Sequence, residues 1–263
     1  PTATKLFSKG STRKMAGYEA VFARYYDSLT ADVDYRRQGE YLLGLAKEYG
    51  GSFRLVLDLA CGTGSLSVEL ARLGAEVIGV DGSQEMLSYA VNKSQGADPA
   101  ILYLCQDMEE LDLYGTVDTA VCTLDSLNHL PGREALVRVF RRLRLFIEPG
   151  GLFLFDMNTP YKHTHQLAGT TYVRETEEVY CVWQNTLDPR DNSVDIDLDF
   201  FVKGEKNSYR RYSESFREYV YTADEVRSLL EEEGFQLLGL RGNYADRPPA
   251  PEEQRIVYIA RRK

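Results

Sequence analysis

The sequence predicts an α/β fold: a doubly wound, mostly parallel sheet of seven strands, with an antiparallel β unit inserted after the fifth. Three observations carry this. The first is the run Val56-Leu57-Asp58-Leu59-Ala60-Cys61-Gly62-Thr63-Gly64-Ser65-Leu66-Ser67. It begins as an apolar strand, breaks at glycines and resumes as a helical pattern, which is the first half of a doubly wound unit. The second is that short apolar runs and helical patterns alternate from there to Met157. The third is a change of period between Tyr172 and Tyr221, where apolar and polar residues alternate.

In chain order, Pro1 to Lys14 is polar and aperiodic. It is expected to be an added tag or disordered, with Met15 as the natural start. Tyr18 to Leu29 reads as a helix with Phe22, Tyr25, Tyr26 and Leu29 on one face, and Asp32 to Tyr49 as a second helix. The first strand, Arg54 to Leu59, leads through the glycines to a helix that Gly74 ends. The second strand, Glu76 to Val80, ends in Asp81, 17 residues after Gly64. Ser83 can cap a helix through Met86, Leu87 and Ala90. Ala100 to Cys105 and Val117 to Cys122 are the third and fourth strands, and Pro131-Gly132 starts the next helix. Glu148-Pro149-Gly150-Gly151 is expected as a turn into the fifth strand, Leu152 to Met157.

Three or four antiparallel strands follow, with turns at 188–192 and 204–207. Within them Val194 to Phe200 alternates strictly. Its apolar face, with Trp183, should be buried, and its Asp195, Asp197, Asp199 face wet. Thr222-Ala223-Asp224-Glu225 is a capping box whose helix stops at Gly234. Phe235 to Leu240 and Arg255 to Ala260 complete the sheet. The expected division is a core of 15–160 and 220–263, with a helical lid at 15–50, and a cap at 161–219.

Glycines at the first turn let the backbone approach a ligand closely. A carboxylate at the tip of the second strand can accept both hydroxyls of a ribose. Three ligands compete for such a site. A P-loop needs Lys then Ser or Thr after its glycines, and Ser65-Leu66 stands there. A dinucleotide site wants a third glycine near position 67 and no acid before the turn, but Ser67 and Asp58 occupy those places. S-adenosylmethionine has no phosphate and carries a cationic amino-acid end, which Asp58 can meet directly or through water. The stretch Asp58-Leu59-Ala60-Cys61-Gly62-Thr63-Gly64 resembles the first motif of class I methyltransferases, which use this donor.

Other residues extend the resemblance. Gln106-Asp107-Met108 resembles the family's adenine pocket, which implies a carboxylate for the exocyclic amine between apolar side chains. Tyr25-Tyr26-Asp27-Ser28-Leu29 resembles an N-terminal Tyr-Asp segment that closes over the donor, and Pro-Gly-Gly before a strand is another family feature. With the β insert, the chain is similar to bacterial small-molecule class I methyltransferases with a β-sheet cap, over nearly all of Tyr18 to Arg261. The resemblance implies a Rossmann-like core and S-adenosyl-L-methionine as cofactor. It implies a donor site of Tyr26, Asp58, Ala60, Cys61, Gly62, Gly64, Asp81, Gly82, Met86, Gln106, Asp107, Met108 and Leu124. Ala60 departs from the family, where many members have Gly, and is expected to alter only loop detail.

Methyl transfer from a sulfonium is an in-line displacement at an already activated carbon. The enzyme holds the acceptor in line, excludes water and, where needed, takes a proton; positioning alone supplies on the order of 7–11 kcal/mol. Asp125 and His129, in the loop after the fourth strand, are candidates for base or acceptor positioning, together with Tyr26. Loop capping and packing are the alternative for these residues. His163-x-His165 has no nearby cysteine or convincing acid partner, so no metal is expected. The Asp195, Asp197, Asp199 stripe reads as a solvated face, the alternative being attraction of a cationic acceptor.

A net charge of −9 argues against a non-specific nucleic-acid binder. The expected acceptor is N or O of a small molecule. A tRNA or protein methyltransferase, or a non-catalytic S-adenosylmethionine-binding protein, are the alternatives. Against the first stands Leu124-Asp125-Ser126-Leu127 where a Pro-Pro-Tyr-type motif would sit. Cys61, Cys105, Cys122 and Cys181 form no C-x-x-C pair. The first three fall in or beside predicted buried strands and read as reduced core thiols. With no apolar run long enough for a membrane and no signal pattern, a cytoplasmic protein is expected, as monomer or homodimer.

Overall fold

A computed structural model describes residues 19–263. The expected tag at 1–14 and the first residues of the expected lid lie outside the described residues. The chain runs α1 (Glu19–Leu29), α2 (Tyr35–Glu48), β1 (Leu55–Leu59), α3 (Ser65–Arg72), β2 (Glu76–Asp81), α4 (Gln84–Lys93), β3 (Leu102–Cys105) and β4 (Val117–Cys122). It continues α5 (Arg133–Phe146), β5 (Ile147–Asn158), β6 (Thr171–Glu175), β7 (Val179–Leu187), β8 (Val194–Lys203) and β9 (Tyr209–Glu218). It ends with α6 (Ala223–Glu232), β10 (Phe235–Gly242) and β11 (Arg255–Arg262).

Seven strands form one sheet in the order β3-β2-β1-β4-β5-β11-β10, with β11 antiparallel to both neighbours and the other pairs parallel. The pleat sends alternate residues to opposite faces. Leu57 and Leu59 face α5 and α6 with Phe140, Phe153 and Phe155, while Val56 packs with Leu42, Leu45 and Leu70 of α2 and α3. Strand order reverses between β1 and β4, so the ligand crevice is expected at their carboxyl ends. Ser83 and Thr222 cap α4 and α6 as predicted, the latter in a complete capping box.

The remaining strands form a four-stranded antiparallel sheet, β6-β7-β8-β9. Its inner face buries Val179, Cys181, Ile196, Leu198 and Phe200 against Tyr25 and Leu29 of α1. Among the described residues no helix is long and apolar enough to cross a membrane.

Four expectations need correction. Pro149-Gly150-Gly151 is not a turn ahead of β5 but lies within it. Ile147 pairs with Val117 and Leu152 with Thr119, and the register slips in between, so the glycines form a bulge. Trp183 is half-buried rather than buried, because it packs at the margin of the sheet core and also lines a cavity. Asp195 and Asp199 are not simply solvated: Arg217 and Arg211 from the neighbouring strand make bidentate pairs with them, and Ser215 bonds Asp197. Cross-strand pairing has taken up their charge. Cys105 is exposed, because β3 is an edge strand, whereas Cys61 and Cys122 are buried.

Candidate active site

The carboxyl ends of β1 and β2 open into a cavity of about 570 Å³. Ala60, Gly62, Asp81, Met86, Met108 and Leu124 line it from the core, and Tyr26 closes it from α1. After β1 the chain bends sharply, with left-handed φ at Ala60, Gly62 and Gly64 (58°, 55° and 72°). A Cβ on Gly62 would meet only Tyr26 Cε1, at 3.8 Å, so glycine leaves the backbone open to a ligand there. Gly64 serves packing instead. A Cβ there would lie 2.9 Å from Ala90 Cβ and 2.5 Å from Tyr103 Oη.

Asp81 pins the loop from the next strand. Its Oδ2 accepts from the Gly62 N–H at 2.8 Å and its Oδ1 from the Ser83 N–H at 2.8 Å. Burial raises its carboxyl above the ordinary value, and these two N–H groups oppose the rise. Each oxygen keeps acceptor capacity toward the cavity. Asp58 is buried below the loop, where it accepts from Ser67 Oγ at 2.5 Å. Burial pushes its carboxyl up to about 7, against the pull of Ser67. Asp27 holds α1 onto this loop by accepting from Thr63 Oγ1 at 2.6 Å, and onto the end of α4 by accepting from Lys93 Nζ at 2.8 Å.

A second cavity, of about 500 Å³, lies between the loop after β4, α1 and the inner face of the antiparallel sheet. Trp183, Leu198 and Glu218 line it from that sheet, and Asp125, Lys162 and Arg255 from the core. The two cavities share Phe22, Tyr26, Leu124, His129 and Phe216, so they meet at those side chains.

The loop after β4 is strained. Leu124 and Asp125 both have left-handed φ, 56° and 54°. The buried Asp156 carboxylate offsets the strain by accepting from both backbone N–H groups, at 2.9 and 2.8 Å. Such conformations cost about 1–3 kcal/mol each and cluster at functional sites. Here they turn Asp125 into the second cavity, where Arg255 bridges it to Asp156. Burial works against the Asp125 charge, but Arg255, Lys162 and His129 hold its carboxyl well below the ordinary range. His129 is exposed and packs edge-on to Phe216, ring centroids 5.2 Å apart. Burial, then the neighbouring Tyr35, Asp125 and Asp81, raises the Tyr26 hydroxyl, which keeps its proton as a donor.

The predicted site residues divide accordingly. Tyr26, Ala60, Gly62, Asp81, Met86, Met108 and Leu124 come together around the first cavity, and Asp125 and His129 reach the second. Gly82 and Asp107 line a side recess with Met108 and His129, where Asp107 also caps a short 3-10 turn. Gln106 does not join them: its amide bonds both backbone groups of Asp112. The Cys61 thiol packs on Leu87, Ala90 and Tyr103. Ala60 is more than loop detail, since its Cβ stands in a conformation that favours glycine. His163 is fully buried, with Nδ1 3.0 Å from the Asn192 carbonyl and Nε2 3.3 Å from Glu218.

A family model described as a methyltransferase domain matches residues 56–151. A methyltransferase-family protein of Geobacillus sp. (strain WCH70) is 32% identical over 247 residues, 93% of this chain and 99% of its own length. The crystal structure of a S-adenosylmethionine-dependent methyltransferase from Clostridium acetobutylicum ATCC 824 shares 30% identity with a TM-score of 0.83, over 92% of this chain and 98% of that one.

This chain belongs to the class I S-adenosylmethionine-dependent methyltransferases.

The fold extends to more distant methyltransferases. CalS10, an amino pentose methyltransferase from Micromonospora echinaspora with S-adenosylmethionine bound, covers all of this chain at 17% identity and a TM-score of 0.73. The first cavity of this methyltransferase suits that cofactor chemically: an open glycine, a carboxylate with acceptor capacity and a thioether side chain surround one space. Sequence reasoning did not single out Lys162, Glu218, Arg255 or Phe216 as site residues. They come from a short π-helical turn, from β9 and from β11, far apart in the chain, and no local motif marks them.

Proposed function

We propose that this methyltransferase transfers a methyl group to N or O of a small molecule held between the core and the antiparallel sheet. The observation that carries the reading is the junction of the two cavities at Tyr26, Leu124, His129 and Phe216. A donor in the first and an acceptor in the second would meet there, away from bulk water. A cavity of about 500 Å³ suits a compound of sugar size, the kind of acceptor that CalS10 is named for.

The residues divide the work. Asp81 binds the ribose and Asp58 the amino-acid end. Met86, Met108 and Asp107 hold the adenine. When bound, the cofactor supplies an electrophilic methyl carbon on a sulfonium. The Tyr26 ring shields that charge and excludes water, and an aromatic face near a cation contributes about 0.5–2 kcal/mol. His129, at the junction, takes the acceptor proton, and Asp125 faces it as an ionised carboxylate held by Arg255. Unpaired cysteines support action in a reducing compartment such as the cytoplasm.

The test is a metabolite panel incubated with methyl-labelled donor, read as labelled product and S-adenosylhomocysteine. Turnover of a small molecule supports the reading. Tight donor binding with no turnover across the panel would favour a sensor, and turnover of tRNA or protein alone would overturn it.

A further inference from the structure

The second cavity holds an arrangement of which the methyl-transfer reading uses only Asp125 and His129. Accepting atoms of Asp125, His129 and Glu218 all lie within 4.8 Å of one another. Asp125 is set by its left-handed backbone and by Arg255. Glu218 is set by the Asn158 amide, 2.8 Å from its Oε2, and by the buried His163 ring behind it. His129 leans on Phe216. These supports make the trio a preorganised set of acceptors.

The spacing admits two kinds of occupant. Three acceptors placed about 2.8 Å from one tetrahedral nitrogen stand about 4.6 Å apart. Ligands around a tetrahedral metal at about 2.1 Å stand about 3.4 Å apart, also inside that limit. Charge decides between them. Asp125, Asp156 and Glu218 are three carboxylates facing two fixed cations, Arg255 and Lys162. The remaining pair on the wall, Asp32 and Arg174, compensate each other at 2.9 Å. With the His129 and His163 rings neutral, one negative charge is left for a ligand to balance.

We propose that the acceptor is a primary amine, which enters as its ammonium ion and is cradled by Asp125, Glu218 and His129. This rests on the reading of the second cavity as the acceptor site. The ammonium donates one hydrogen bond to each member of the trio. His129 then takes one N–H proton, and the freed lone pair forms the bond to the methyl carbon. The electron pair of the breaking carbon–sulfur bond stays on sulfur, and the product amine leaves as a cation. A hydroxyl in the same place offers one donor to three acceptors and no positive charge.

Trp183 is the single tryptophan of the chain and lines this cavity, so its fluorescence reports occupancy. The full chain, saturated with S-adenosylhomocysteine, is titrated near neutral pH with cyclohexylamine and with cyclohexanol, a neutral analogue of similar shape. The amine should bind at least about tenfold tighter, the scale of a hydrogen bond with a charged group. Glu218→Gln and His129→Leu should each shrink that preference. His129 is exposed, so its replacement spares the core if Glu218→Gln does not fold. Equal binding of the two probes, or a preference unmoved by His129→Leu, overturns the proposal. So does tight Mn²⁺ binding that His129→Leu abolishes, which would assign the trio to a metal. Calorimetry of S-adenosylhomocysteine separates the two levels of argument. Failure to bind it removes the methyltransferase site assignment as well; binding without amine preference removes only the amine cradle.

Discussion

Asp58 offers a quantitative test of the donor site. Burial pushes its carboxyl from an ordinary 3.8 up to about 7, and Ser67 offsets only part of that penalty on the charge. The raised value means that Asp58 contributes stability below about pH 4 that is lost as pH rises through 7. The difference corresponds to about 4 kcal/mol, which is what a cationic partner has to supply to return the carboxyl to its ordinary value. If the donor's ammonium group binds beside Asp58, the bound carboxyl returns toward its ordinary range. At pH 6 about nine-tenths of Asp58 carries a proton before binding and little after it, so about 0.9 proton is released. Donor affinity then rises close to tenfold per pH unit up to about pH 7 and flattens above it. Calorimetry at pH 6, in buffers of small and large ionisation enthalpy, measures the release directly. Asp58→Asn should abolish it. Zero release at pH 6, or the same release in Asp58→Asn, would refute the assignment of Asp58 to the amino-acid end.

Three further outcomes are expected. Asp81→Ala should weaken S-adenosylmethionine binding by about 1.5–3 kcal/mol and also free the Gly62 N–H; unchanged affinity in a folded sample rejects the ribose role. Ala60→Gly should raise Tm, since a left-handed alanine costs about 1–2 kcal/mol and only part of that is returned as unfolded-chain freedom; a lower Tm would show that the strain is absent. Hydrogen exchange in α1 should slow when donor is added, and Asp27→Asn should speed it in the free protein by releasing Thr63 and Lys93. Protection that ignores both changes would make α1 ordinary core.

Much of the core was legible because local rules and tertiary packing agree there. The strand, glycine turn and helix at 55–72 follow from burial on both sheet faces and from two glycines in left-handed backbone, of which Gly64 also has no room for a Cβ. The capping box at Thr222 and the alternation of Val194 to Phe200 are decided within a few residues. The Pro-Gly-Gly stretch misled because glycines that suit a turn also suit a bulge, and only pairing with β4 chooses between them. Gln106 misled for a similar reason: its offset fits a pocket, but the nearby Asp112 backbone captures its amide.

By itself, the sequence determined the doubly wound core, the glycine loop with Asp58 and Asp81, and the inserted antiparallel sheet. These depend on residues close in the chain, where periodicity and backbone preference act. The tertiary structure alone decided what Asp125 and His129 face. Glu218 is 93 residues beyond Asp125, and Arg255 130 residues beyond it. Their meeting requires β9, β11 and the strained loop after β4 to converge on one cavity. Charges set so far apart leave no periodic trace, because their interaction energy exists only once the sheets have folded around them.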